Sequence, residues 1–285
     1  MIGIIGGSGL YDIEGFTGQA ERPVDTPFGP PSDPPVVGEL DGHEVAFLAR
    51  HGKGHRYMPG EINFRANIFA LKSLGVDRIL SVSAVGSMRE ALVPGHMVVV
   101  DQFFDHTKGR KSTFFGDGIV GHVALAHPIC ATVADQLAKG ADAAGATVHR
   151  GGKYLCIEGP QFSTLAESNI YRAWGVDVIG MTNATEAKLA REAGICYATL
   201  AMVTDFDCWH PDHDAVTTEA VIRVLLQNVA LSKEIIHKTL QGMPAEALCS
   251  CRDAAKNAVI TARDHIPPAV RERLRPVLGP ALEGS

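Results

Sequence analysis

The sequence predicts an α/β fold in one domain spanning residues 1–285, and three observations carry that prediction. Short apolar runs, rich in Val, Ile and Ala, alternate with longer segments of helical periodicity. Several of those runs end in turns of small residues, as at Gly6-Gly7-Ser8-Gly9 and Ser83-Ala84-Val85-Gly86-Ser87. No composition shift, repeat or low-complexity tract divides the chain, and residues from about 241 to 285 read as a C-terminal helical extension of the same unit.

In order, 2–5 reads as a strand, 36–37 and 45–48 as a hairpin, and 62–74 as a helix stopped by Gly75. Strands follow at 78–82 and 97–100. Segment 107–121 has little hydrophobic periodicity and is expected to be a mobile loop, a lid or a subunit contact. An Ala-rich helix at 129–143 precedes strands at 152–158 and 176–181. A helix starting in Thr182-Asn183-Ala184-Thr185-Glu186 ends at Gly194. A buried strand at 196–203 and a long helix at 216–240 complete the body. The tail, with Pro267, Pro268 and Pro276, is expected to form a short helix and a frayed terminus.

Bulk composition narrows the function classes. Lys and Arg total 26 against 32 Asp and Glu, a net charge of −6 that argues against nucleic acid or anionic membrane as a general partner. No apolar run approaches the roughly 20 residues of a membrane span, and the start lacks a signal-peptide pattern, so a cytoplasmic enzyme is expected. Six cysteines are too sparse for a disulfide framework. Cys249-Ser250-Cys251 suits a redox or soft-metal pair, but no second pair stands at zinc-site spacing, and free thiols are expected.

The chain is organised around Thr204-Asp205-Phe206-Asp207, where the strand at 196–203 ends. Strand ends facing a crevice are where α/β proteins place chemistry. Two carboxylates two residues apart in extended backbone face one side, suited to a ligand with adjacent N–H donors. Taken alone, the pair also fits a solvated helix-capping loop or a divalent cation site. Ser8 among glycines after the first strand offers a cradle for phosphate. It is not the dinucleotide fingerprint, because Asp12 stands where the third Gly belongs. Nor is there a Walker loop, since Arg110 precedes Lys111-Ser112. Arg50-His51-Gly52-Lys53-Gly54-His55 is a second anion-seeking loop, with Arg50 able to fork onto a phosphate. Phe162 is either a core residue or a stacking surface for a planar ring.

These motifs resemble those of the trimeric purine nucleoside phosphorylases. The matching residues run through Ile4-Ile5-Gly6-Gly7-Ser8-Gly9-Leu10, Asp25-Thr26-Pro27-Phe28-Gly29, Leu48-Ala49-Arg50-His51-Gly52, Ile157-Glu158-Gly159-Pro160, Phe162-Ser163 and Glu192-Ala193-Gly194, and end at Thr204-Asp205-Phe206-Asp207-Cys208-Trp209. The resemblance implies a twisted mixed sheet, partly closed into a barrel and wrapped by helices, in a homotrimer with sites near subunit contacts. It implies attack of inorganic phosphate, a co-substrate, on C1′ of a purine nucleoside, with no cofactor and no metal. Phosphate is then expected among Ser8, Arg50, His51, Ser83, Ala84 and Thr182, with Met181 against the ribose. The purine is expected near Phe162 and Ser163, with Asp205 and Asp207 as the catalytic acids on its N7 and 6-amino edge. Thr218, Val221 and Ile222 are expected around the 5′ substituent. The acid pair points to 6-aminopurines, and 5′-methylthioadenosine is the expected substrate, with adenosine or 6-oxopurine nucleosides as the broader alternative. Ser8 and Ser83 stand where relatives often carry Thr, and the 183–186 stretch lacks a Pro common before Glu186.

Overall fold

A computed structural model describes residues 1–7, 9–10, 12–211, 218–246 and 249–283. Ser8, one of the expected phosphate ligands, lies outside the described residues, as do the side chains of Thr218 and Val221. Eleven strands form one mixed sheet ordered β2-β3-β4-β1-β5-β10-β9-β7, with β11 pairing to β5 and β6, and β8 pairing to β6. Helices cover it, so the expected fold class holds.

The centre of the sheet is β5 (Arg78–Ser87), which is long enough for three partners. β1 (Ile2–Gly6) runs parallel to its first half and is flanked in turn by parallel β4 (His43–Ala49). β11 (Cys196–Asp205) runs parallel along nearly all of β5, from Cys196 opposite Arg78 to Asp205 opposite Gly86, with an irregularity between Val203 and Asp205. β10 (Val178–Gly180) joins the far end of β5 in the antiparallel sense, with Ile179 opposite Gly86. β1, β5 and β11 are buried almost throughout, which is why β1 and β11 read as near-continuous apolar runs, whereas β5 buries Arg78, Ser81, Ser83 and Ser87 among its apolar residues.

The topology makes the sheet a positioning device. The exits of parallel β1, β4 and β11 gather beside the second half of β5. The chain leaving β10 heads back along β5 towards Ser83 and Ala84. On the rim, β9 (Lys153–Ile157) pairs in parallel with β10 and with β7 (Gln102–His106). The remaining strands are β2 (Thr17–Glu21), β3 (Val36–Leu40), β6 (Met97–Val99) and β8 (Val148–Arg150).

Among the helices, α1 (Phe64–Ser73) is capped by the Asn63 side chain accepting from the Ala66 N–H at 3.2 Å. α2 (Ala131–Ala143) and α5 (Thr218–Gln241) pack together over β11. α3 (Leu165–Ala173) starts with a reciprocal capping box between Thr164 and Glu167. α4 (Asn183–Glu192) follows β10 directly.

Two expectations are corrected. The tail helix, α6 (Pro268–Glu283), is long and buries Val270, Leu274, Val277 and Leu278 against the body, with Pro276 accommodated within it. Segment 107–121 is anchored rather than a free flap. Phe114 is 1% exposed, and Glu192 accepts from the Thr113 hydroxyl and the Phe114 N–H, both at 2.7 Å. Arg110 donates from Nε to Glu158 at 3.0 Å and from Nη1 to the Met181 carbonyl at 2.5 Å.

Candidate active site

Arg50 follows the last residue of β4, and its N–H donates to the Gly6 carbonyl at 2.9 Å, joining the exits of β4 and β1. Its guanidinium is 2% exposed and held on three sides. Nε and Nη2 donate to Glu186 at 2.5 and 3.1 Å, Nη1 to the Val82 carbonyl at 2.8 Å, and Nη2 to the Ser81 hydroxyl at 2.7 Å. Burial works against the charge, but Glu186 outweighs it and keeps the guanidinium above its ordinary pKa. Glu186 also accepts from the hydroxyls of Ser81 at 3.0 Å and Tyr197 at 2.8 Å. Asn183 Nδ2 lies within bonding distance of Ser81, Tyr197 and Thr199. This buried polar network fixes Arg50 before any ligand arrives.

His51 donates from Nδ1 to the Tyr57 carbonyl at 2.9 Å and stacks on His55 with ring centres 4.2 Å apart. Burial, then the neighbouring Arg50 charge, push its pKa down to about 4 against the opposing Tyr57 bond. Near neutral pH the ring is therefore uncharged, and with Nδ1 carrying the proton its Nε2 is an acceptor.

Ser83 and Ala84 lie on β5 opposite Ala201 and Met202 of β11. The Ser83 hydroxyl stands 3.5 Å from that of Tyr154, a wholly buried residue on β9. Thr182, 4% exposed, caps the start of α4 without using its side chain as the cap. Between β10 and Thr182, Gly180 admits the Tyr154 ring, since a Cβ at 180 would stand 2.0 Å from the phenolic oxygen. Arg50 and His51 after β4, Ser83 and Ala84 within β5, and Met181 and Thr182 after β10 are thus carried on elements of one sheet.

The acids sit at the exit of β11. Asp205 accepts from the Thr204 hydroxyl at 2.7 Å and from the Asp207 N–H at 2.8 Å. Burial raises its pKa, those two bonds oppose the rise, and the Asp207 charge adds to it. Asp207 has φ 53° and is 5% exposed, and its Oδ2 is buried without a hydrogen-bond partner. Burial raises its pKa as well, with the hydroxyls of Ser168 and Ser163 opposing. Neither hydroxyl closes a bond of ordinary geometry, so three buried oxygens stand unpaired around one point. Sequence reasoning missed Ser168, although the Thr164-x-x-Glu167 capping signature placing it on α3 was present.

Phe162 is 48% exposed, which decides against the core reading and leaves its ring available. Ile222 on α5 is likewise 48% exposed. Glu186, Ser81, Asn183 and Arg110 are further residues of the site region that the motifs did not single out. Their importance lies in contacts between strands and helices distant in sequence.

A family model described as the phosphorylase superfamily matches residues 1–241, and the chain belongs to that superfamily. It is 55% identical to the S-methyl-5′-thioadenosine phosphorylase of Koribacter versatilis, over 98% of this chain and 95% of that one. The Geobacter sulfurreducens enzyme of the same name is also 55% identical, over 98% of both chains. Among solved structures, a methylthioadenosine phosphorylase from an antarctic soil metagenomic library matches with a TM-score of 0.92 at 50% identity, covering 97% of this chain and 98% of that one. Methylthioadenosine phosphorylase from Schistosoma mansoni, in complex with adenine, matches with a TM-score of 0.83 at 39% identity, covering 89% and 95%. Within the superfamily, its close relatives are thus S-methyl-5′-thioadenosine phosphorylases.

Proposed function

We propose that the protein catalyses phosphorolysis of S-methyl-5′-thioadenosine to adenine and 5-methylthioribose 1-phosphate. The observation that carries this reading is the buried pair at the end of β11, in which two hydrogen bonds fix the Asp205 carboxyl, burial raises its pKa, and Asp207 Oδ2 is buried without a hydrogen-bond partner. The similarity to enzymes of that activity supports it.

In this reading phosphate is bound by Ser8, Arg50, His51, Ser83, Ala84 and Thr182, and Met181 packs on the ribose. Breaking the C1′–N9 bond builds positive charge on the sugar and negative charge on the departing purine. Phosphate then serves as nucleophile and as electrostatic partner of the sugar cation. A neutral His51 offers Nε2 to a hydrogen phosphate, whose proton makes that bond and leaves its bare oxygens for Arg50 and C1′. Protonated Asp205 donates to purine N7 and Asp207 accepts from the 6-amino group. A 6-oxopurine sets acceptor against acceptor, a mismatch costing about 1–3 kcal/mol. Phe162 and Ser163 border the base, and Thr218, Val221 and Ile222 border the 5′ substituent. The chemistry uses side chains and phosphate itself, without a cofactor.

The protein acts as a homotrimer in the cytoplasm. Phe104 and Trp174, 46% and 47% exposed with ring centres 5.3 Å apart, support a subunit contact beside α3. Among the described residues no helix is long and apolar enough to cross a membrane. Light scattering at three times the chain mass checks the trimer. The activity is tested by following adenine release from S-methyl-5′-thioadenosine, adenosine and inosine, each with and without phosphate. Phosphate-dependent release, fastest with the methylthio substrate, is expected, and no release in the presence of phosphate refutes the reading.

A further inference from the structure

Four of the six cysteines converge at the end of β11 remote from the acids. Cys130 at the start of α2, Cys196 at the start of β11, and Cys249 and Cys251 beyond α5 bring their sulfurs within 4.8 Å of one another. Cys249 Sγ lies 3.0 Å from Cys196 Sγ and 3.6 Å from Cys130 Sγ. Cys130, Cys196 and Cys251 are buried and Cys249 half-buried. Four thiolates about 2.3 Å from a central zinc ion form a tetrahedron with edges of roughly 3.8 Å. The spread of these sulfurs suits such a shell.

The surrounding structure builds this convergence deliberately from three separate stretches of chain. The Cys130 N–H donates to the Tyr197 carbonyl at 2.9 Å, setting α2 beside β11. Arg78, 4% exposed, donates to the carbonyls of Pro244 and Ala245 at 2.5 and 3.0 Å and directs the incoming loop. Gly194, at φ +63°, lets the 3₁₀ turn Ser250–Asp253 come so close that a Cβ would stand 2.7 Å from the Arg252 carbonyl. Lys72 places positive charge near Cys196, suited to the net negative charge of a zinc ion in four thiolates.

We propose that Cys130, Cys196, Cys249 and Cys251 bind one zinc ion, a structural site that fastens the C-terminal segment to the core. Pairwise disulfides account for two sulfurs at a time and give no reason for all four to meet. The ten residues of β11 span about 30 Å at ~3.3 Å each, so the metal stands far from Asp205 and takes no part in the reaction. The Cys249-x-Cys251 pair alone did not announce it, because its partners are single cysteines far away in sequence.

The test uses the full chain, purified under reducing conditions from zinc-supplemented cells. Elemental analysis is expected to find about one zinc ion per chain, released to a chromogenic chelator when a mercurial blocks the thiols. Reconstitution with Co²⁺ is expected to give the intense thiolate charge-transfer and visible bands of a tetrahedral tetrathiolate. Cys251→Ser is expected to lose the stoichiometric metal and Cys208→Ser, outside the cluster, to keep it. Wild-type protein that binds neither metal overturns the proposal, whether intact mass shows hydrogens lost to disulfides or all four thiols titrate freely. Because these readouts do not use turnover, they stand or fall separately from the proposed activity.

Discussion

The backbone N–H of Asp207 donates to Oδ1 of Asp205 at 2.8 Å, so the chain at the second acid orients the carboxyl of the first. Thr204 holds the remaining oxygen of Asp205, while Asp207 Oδ2 is left unpaired. One acid is thereby held in place by the chain around it, and the other keeps its bonding capacity for a ligand. The local geometry divides the labour between two residues of the same type.

Asp205→Asn keeps the shape and removes the transferable proton. We expect kcat/KM for S-methyl-5′-thioadenosine to fall by about 10²–10⁴, with a smaller loss for inosine. Burial raises the Asp205 pKa, so the protonated acid is present below that pKa and lost above it. Wild-type kcat/KM should therefore decline on an alkaline limb that Asp205→Asn lacks, measured across pH at saturating phosphate. Identical profiles for the two proteins would remove Asp205 from the role of proton donor.

Glu186 accepts from Arg50 where both are almost wholly buried, so the pair cannot be broken cheaply. Glu186→Gln leaves the guanidinium under-compensated, a change that costs about 3–5 kcal/mol when a buried charge loses its partner. The expected outcome is a lowered denaturation midpoint together with a raised KM for phosphate and a nearly unchanged KM for the nucleoside. Equal rises in both Michaelis constants would mean general loosening rather than a displaced Arg50.

Glu192 tethers segment 107–121, and burial raises its pKa from an ordinary 4.5 to about 7 despite its bonds to Phe114 and Thr113. The folded state then holds a proton between these values that the unfolded state has released. Stability from this group is greatest at the acid end and declines as pH rises from about 4.5 through about 7. Denaturant titrations should show the stability of wild type relative to Glu192→Gln falling over that window, by at most about 3 kcal/mol. His51 works in the opposite direction, losing stability as pH falls from 6.5 towards 4, which is why the comparison must be made against the variant.

The sequence displayed the parts of the site that depend on strand ends. β5 and β11 are buried almost throughout and β4 through its last five residues, so their apolar stretches give way visibly to polar and small residues, and those changes carry Ser83, Asp205 and Arg50. It concealed what depends on packing between distant segments. Nothing near Glu186 in the chain announces Arg50, 136 residues away, and nothing near Cys130 announces Cys249, 119 residues away. Segment 107–121 looked mobile because its anchors are single contacts, Phe114 in the core and Arg110 on Glu158 and Met181, which leave no periodicity to read. The short rim strands β7 and β8 were missed for a related reason. Their residues are partly exposed and take their pairing from β9 and β6.

The contact between Gly180 and Tyr154 yields a prediction that separates a positioning role from mere bulk. Tyr154 is wholly buried, and its hydroxyl lies 3.5 Å from that of Ser83, at the strand ends proposed to hold phosphate. A Cβ at 180 would meet the Tyr154 oxygen at 2.0 Å and its ring carbon at 2.6 Å, distances that a rigid, enclosed ring cannot relieve by rotation. Gly180→Ala should therefore displace either Tyr154 or the chain leading to Met181 and Thr182, at a cost of about 1–3 kcal/mol in stability and a raised KM for phosphate. Tyr154→Leu removes the obstructing ring and should itself cost a few kcal/mol by leaving a cavity. Combined, the two changes should be less harmful than the sum of their separate effects, because the Ala methyl then occupies space the ring has vacated. A double-mutant cycle on denaturation free energy and on phosphate KM measures this coupling. Strict additivity in both would show that the ring and residue 180 do not compete for the same space, and that Tyr154 has no part in setting the turn before Thr182.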